Sequence, residues 1–140
     1  FWLTSTHGIY YLQRFIDCEG DGFSDWRVFV INGQSLAAMR RGGISWLNNV
    51  ARGAICEAAE LDSDLCNLAE RAVGALHMHY GGVDIIRDKE GGYSVIEVNS
   101  VPAWKGLQSV CHVDIADRLA ADFLARCTSA AGGGGAASCA

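Results

Sequence analysis

Two short runs of alternating residues, 25–31 and 34–40, are separated only by Asn32-Gly33. That pair tolerates the positive φ angles of a two-residue type I′ turn better than almost any other, so the runs close into a β-hairpin and the fold must contain antiparallel sheet. A two-residue turn also fixes the register. It places Asp25 opposite Arg40 and Arg27 opposite Ala38 on a charged face, with Trp26, Val28, Val30, Ala37 and Met39 on a core face.

The other elements arrange themselves around this hairpin. Residues 9–16 (IYYLQRFI) are β-branched and aromatic and run into the Gly- and Asp-rich stretch 17–24, the pattern of a strand closed by a loop. Residues 41–54 (RGGISWLNNVARGA) follow neither period, which predicts a loop long enough to carry function. Over 62–78, Leu65, Leu68, Ala69, Ala72, Val73 and Leu76 recur at helical spacing, and Asp62 or Ser63 can cap the start. Residues 82–87 and 93–98 form a second strand pair joined by 88–92. A last helix spans 114–126, with Ile115, Leu119, Phe123 and Leu124 on one side. Past Cys127 the chain runs into small residues, GGGGAASCA at its end, with too little apolar surface to order a tail over 128–140. The order predicts an α+β fold, an antiparallel sheet with helices packed on one side.

Half of the 140 residues are hydrophobic and 19% are charged, enough to bury the core of one domain. The net charge of -5 and the scattered arginines give no general attraction to a polyanionic backbone, so nucleic acid is not an expected partner. No apolar run approaches the roughly 18 residues that cross a bilayer. The opening Phe1-Trp2-Leu3-Thr4 has neither the basic start nor the cleavage site of a signal peptide. These readings place the protein in the cytoplasm with no membrane partner. The six cysteines form no CxxC pair, and free thiols are expected. His77 and His79 lie on different sides of a helix without a third ligand, which does not make a zinc site, and no nucleophile elbow is present. The absence of an initiator Met is read as a start inside a longer protein.

The second strand pair carries the chemistry. With Glu90-Gly91 as the turn, Asp84 faces Glu97; with Gly91-Gly92, it faces Asn99. Either register puts Asp84, Glu97 and Asn99 on one face, because alternate residues of a strand point the same way while Val98 turns to the core. Opposed carboxylates repel unless a cation lies between them. Magnesium suits such a place, since it takes one or two carboxylates and fills its octahedron with water and phosphate oxygens. Spacing alone leaves ordinary solvated carboxylates as the other reading, and a three-residue loop without a bulge would break the parity.

Five motifs, in order, resemble a known family. The run Gly82-Val83-Asp84-Ile85-Ile86, followed by VIEVNSVPAWKGLQ at 95–108 and VDIADRL at 113–119, is similar to the ending of the RimK-like ATP-grasp ligases. Upstream, YLQRFID resembles the strand and hinge that hold adenine, DWRVFVINGQSLAAMRR the hairpin after it, and WLNNVARGA the loop over the phosphates. The likeness covers residues 9–126.

The resemblance implies the C-terminal subdomain of an ATP-grasp fold over 1–127, and an ATP-dependent carbon–nitrogen ligase that adds glutamate through an acyl-phosphate. It implies that Asp84, Glu97 and Asn99 hold Mg²⁺ (or Mn²⁺), with two ions expected on the ATP phosphates. Gln13, Arg14, Phe15 and Ile16 would face adenine and Asp25 would lie near the ribose. Arg40, Arg41 and Asn49 would approach the phosphates or the acyl-phosphate, with Arg52 adding charge in the loop. Read from the residues alone, Phe15 is equally a core aromatic and Arg40 equally a partner of Asp25. The implied partners are ATP, a small-molecule or peptide carboxylate acceptor and an amino acid, L-glutamate by the likeness; a homo-oligomer is left open.

The sequence departs from the family at several points. Leu47 stands where many relatives have Arg, Arg14 where many have Glu, and Ala103-Trp104 where the ribosomal-protein-modifying relatives have Gly and an aliphatic residue. The Pro-Ala-Trp version is similar to that of RimK-like ligases of pterin-cofactor or tetrahydromethanopterin pathways. The family's other lobe supplies lysines over the phosphates, whereas Lys89 and Lys105 are the only lysines here and neither is placed for that role. The chain by itself is therefore expected to be inactive. Another ATP-grasp peptide ligase and a catalytically silent nucleotide-binding module are the alternative readings.

Overall fold

The computed structural model describes residues 12–18, 23–43 and 55–132. Five strands make one antiparallel sheet: β1 (Phe23–Ile31), β2 (Gln34–Gly43), β3 (Ile55–Ala59), β4 (Tyr80–Arg87) and β5 (Tyr93–Asn99), in the order β3-β2-β1-β4-β5. Helix α1 (Ser63–Ala75) connects β3 to β4, and α2 (Lys105–Gln108) and α3 (Ile115–Gly132) follow β5.

The Asn32-Gly33 turn forms as expected, with φ of 50° and 73°. The register beyond it does not follow from the turn. Phe29 pairs with Ala37 while Val30 pairs with Ser35, so Leu36 is an extra residue, a β-bulge in β2. Everything past it shifts by one. Asp25 therefore faces Arg41, and Arg40 faces Trp26 on the other side of the sheet. Strand β2 also runs on to Gly43, into the segment expected to be loop, and β3 lies just beyond that expected loop.

Helices cover both faces of the sheet rather than one. The fully buried Leu65, Ala69 and Val73 of α1 pack on Val28, Val30, Ala38, Val83 and Ile85. Burial of Leu65 and of Val73 contributes roughly 1.5–3 kcal/mol each. On the opposite face Phe29, Ile31, Ala37 and Met39 pack on Leu107 of α2 and Ile115 of α3. Alternation along β1 sends Val28 and Phe29 to opposite sides, so two cores are needed. Asp62 caps α1 by accepting from Leu65 N at 2.8 Å, as its position suggested. Asp114 does the same for α3 through Asp117 N at 2.9 Å. That helix runs to Gly132, past the boundary set at Cys127, and Thr128 and Ser129 donate back to Ala125 O. Phe123 and Leu124 are exposed rather than packed.

The β4–β5 hairpin closes through a three-residue loop: Asp88 N donates to Gly92 O at 2.9 Å, and Gly91 takes φ of 88°. Its own bulge compensates. Ile85 pairs with Val95 but Asp84 with Glu97, leaving Ile96 as the extra residue. After Asn99 the chain folds back over β4, where Gly82 leaves room for it: a Cβ at Gly82 would lie 2.6 Å from Pro102 Cβ. Residues 12–17 follow no strand or helix, against the strand expected there; residues 9–11 lie outside the described residues.

Candidate functional site

Four charged side chains converge where β1, β2 and β4 adjoin. Asp25 and Arg27 alternate on β1, Arg41 pairs across from Asp25, and Asp84 pairs across from Arg27. Arg27 grips Asp84 with both arms, Nε to Oδ1 at 2.7 Å and Nη2 to Oδ2 at 2.6 Å. It also reaches Ala103 O at 3.4 Å. Arg41 Nη2 lies 3.0 Å from Asp84 Oδ2 and donates to Asp25 through both Nε and Nη2. The side chains of Arg41, Asp84 and Asp25 are 4%, 6% and 9% exposed, so these charges are held by one another and not by water.

The two carboxylates respond differently. Burial pushes the Asp84 carboxyl upward, but Arg27 and Arg41 outweigh it and hold the group below its ordinary range. At Asp25 burial wins over the Arg41 hydrogen bonds, and the neighbouring Asp84 charge adds to it, so its carboxyl titrates above that range. Arg41 is lifted further by its acidic partners despite the opposing cost of burial.

These groups form the floor of a cavity of about 470 Å³. One wall is Gln13, Arg14, Phe15, Ile16 and Cys18; the other is Ile86, Val95, Ile96 and Glu97. Phe15 is exposed at the rim and meets Phe23 edge-on at 6.4 Å. Asn99, two residues along β5, donates from Nδ2 to Glu97 Oε1 at 2.8 Å. Among the described residues no three His, Cys, Asp or Glu side chains cluster as a metal cage would. The oxygen donors here are two carboxylates on opposed positions and an amide. That set fits Mg²⁺, which leaves several places to water and phosphate; an ion at Asp84 would share that carboxylate with the two guanidiniums.

Of the residues singled out in the sequence, the cavity gathers Gln13, Arg14, Phe15, Ile16, Asp25, Arg41, Asp84 and Glu97. Arg40 is not among them. The Leu36 bulge turns it to the α1 face, where its guanidinium lies 5.7 Å from the Trp26 ring centroid and donates to Ser24 Oγ at 3.2 Å. Asn49 and Arg52 lie outside the described residues. Arg27 is the residue that sequence reasoning missed as a member of the site. The signal was present, because the alternation Asp25-Trp26-Arg27 puts it beside Asp25 on the charged face.

Residues 3–123 match the model of the RimK-like ATP-grasp domain. The chain belongs to that family. It is 42% identical over 114 residues to the tetrahydromethanopterin:alpha-L-glutamate ligase of Methanocaldococcus jannaschii, covering 81% of this chain and 39% of that one. It is 35% identical over 119 residues to a probable alpha-L-glutamate ligase of Xanthomonas campestris pv. campestris, covering 84% and 40%. The chain thus spans about two fifths of these relatives. Among solved structures it is similar to the ATP-grasp ligase PsnB complexed with a phosphomimetic variant of its minimal precursor, Mg and ADP: TM-score 0.60, 27% identity, 73% of this chain and 32% of that one. The α+β architecture, a five-stranded antiparallel sheet with helices, is that of an ATP-grasp ligase subdomain. Among the described residues no helix is long and apolar enough to cross a membrane.

Proposed function

We propose that this chain is the nucleotide- and magnesium-binding part of a cytoplasmic ATP-dependent carboxylate–amine ligase that joins L-glutamate to a carboxylate-bearing acceptor through an acyl-phosphate. The observation that carries the reading is the direct opposition of Asp84 and Glu97, both of which line a cavity shared with Phe15, Ile16, Arg27 and Arg41. Glu97, Asn99 and Asp84 would hold the divalent ions. An ion held there would supply positive charge to set against that of the phosphates.

The remaining work falls to the chain's own residues. Phe15 and Ile16 on one side and Ile86, Val95 and Ile96 on the other offer flat apolar surface suited to adenine. Arg41 and Arg27 face the cavity as fixed guanidiniums, aimed by Asp25 and Asp84 so that little reorganisation is needed when negative charge develops in front of them. Asp84 stays ionised at neutral pH because the arginines hold its proton affinity down. The glutamate substrate is suggested by the 42% and 35% identity to glutamate ligases. Release of ADP by the full-length protein, dependent on both L-glutamate and a pterin-type carboxylate, tests the proposal. ADP binding without release under any acceptor would point instead to the silent nucleotide-binding module.

A further inference from the structure

The 12–18 segment gives Gln13, Arg14, Phe15, Ile16 and Cys18 to one wall of the cavity, yet residues 12–17 have no strand or helix to hold them. Besides the edge-on contact of Phe15 with Phe23, they are tied to the loop that closes β4 and β5. Cys18 bridges to Asp88, Lys89 N donates to Asp17 O at 3.2 Å, and Lys89 Nζ lies 2.6 Å from Asp17 Oδ2. The same hairpin supplies the facing wall from Ile86, Val95 and Ile96. One turn therefore connects both walls.

Asp88 holds that turn through both its backbone and its side chain, and its carbonyl accepts from Gly91 N at 3.0 Å. Asp88 Oδ1 takes hydrogen bonds from Glu90 N at 3.0 Å and Gly92 N at 2.8 Å, while Asp88 N donates to Gly92 O. Gly92 leaves the carboxylate its space, since a Cβ there would lie 3.0 Å from Asp88 Oδ2. We infer that Asp88 is a positioning residue for the nucleotide: by shaping the β4–β5 loop it sets how far the 12–18 wall stands from the sheet, and so how well a flat base is held between them. This rests on the nucleotide reading of the cavity. Asp88 itself lines no part of it. The ion pair between Lys89 and Asp17 is 61% and 67% exposed, so the backbone ties and not the charges do most of the holding.

The test compares ADP affinity by calorimetry and steady-state kinetics in the full-length protein. Asp88→Ala is expected to raise the ADP Kd and the KM for ATP about tenfold, with kcat at saturating ATP within about twofold. Asp88→Asn keeps an oxygen that accepts the same two N–H groups, and restores wild-type affinity. Lys89→Ala stays within about twofold. Gly92→Ala, a milder push on the same carboxylate, weakens ADP in the same direction by a few-fold and serves if Asp88→Ala does not fold. Unchanged ADP binding in Asp88→Ala or Gly92→Ala, an Asn variant as weak as the Ala variant, or a fall in kcat with KM unmoved each overturns the inference while leaving the nucleotide reading intact. Wild-type protein that does not bind ADP removes that reading, and this inference with it.

Discussion

The two hairpins of the sheet each carry one bulge, and the bulges have opposite consequences. In β1–β2 the turn has two residues, so the register it dictates is regular until Leu36 shifts it and replaces Arg40 by Arg41 opposite Asp25. In β4–β5 the loop has three residues, which alone would put Asp84 out of step with Glu97, and Ile96 restores the pairing. Turn length and bulge act on the same parity, so only their sum decides which side chains meet.

The largest expected effect tests that sum in the first hairpin. Arg41→Met leaves Asp25 buried without its hydrogen-bonded partner and should cost about 3–5 kcal/mol in denaturant unfolding. Arg40→Met removes an exposed contact with Trp26 and should cost less than about 1 kcal/mol. Reversed magnitudes would restore the register that the turn alone dictates. For the second hairpin, with Glu97 holding a divalent ion as proposed, Glu97→Ala in the full-length protein should lower kcat on the order of 10²–10³-fold; near-normal ADP release would break the proposed link between the Asp84–Glu97 pairing and catalysis.

A smaller effect distinguishes the carboxylates by pH. The Asp84 carboxyl lies below its ordinary value of 3.8 in the fold, so its stabilisation is complete above that value and is lost as pH falls through the lower folded one. Asp25 lies above 3.8, so the folded state binds its proton more readily, and its contribution falls as pH rises from 3.8 through the higher folded value. Unfolding titrations should show Asp84→Asn flattening the loss of stability below 3.8 and Asp25→Asn removing a slope of opposite sign above it. Two slopes of the same sign would mean that the arginines do not discriminate between them. The smallest effect compares the turns: Gly33→Ala and Gly91→Ala, at φ of 73° and 88°, should each cost roughly 1 kcal/mol.

Much of the framework was legible because its signals are local. Asn32-Gly33 marked the turn, the spacing of Leu65, Ala69 and Val73 marked α1, and Asp62 was one of the two caps offered. The opposition of Asp84 and Glu97 was one of the two registers considered, though it arises through a different turn from either. What escaped depends on contacts distant in sequence. Leu36 and Ile96 are ordinary strand residues, with no Gly or turn residue to announce a bulge at either. The bidentate grip of Arg27 on Asp84 requires β1 beside β4, a pairing across 57 positions that hydrophobic alternation does not specify. Helices on both faces follow from Phe29, which alternation along β1 turns away from α1, and from Met39, which the shifted register brings to the same side.

Gly82 has no functional group, and it sits two residues from Asp84 with the Pro102 ring filling the space a side chain would need. One residue beyond that proline, the Ala103 carbonyl braces the guanidinium that grips Asp84. A single added methyl group at position 82 would lift the returning chain, slacken that brace and reach the carboxylate by way of an arginine, so an inherited change in the plainest residue of the strand would surface as a fault at a charged group it never touches.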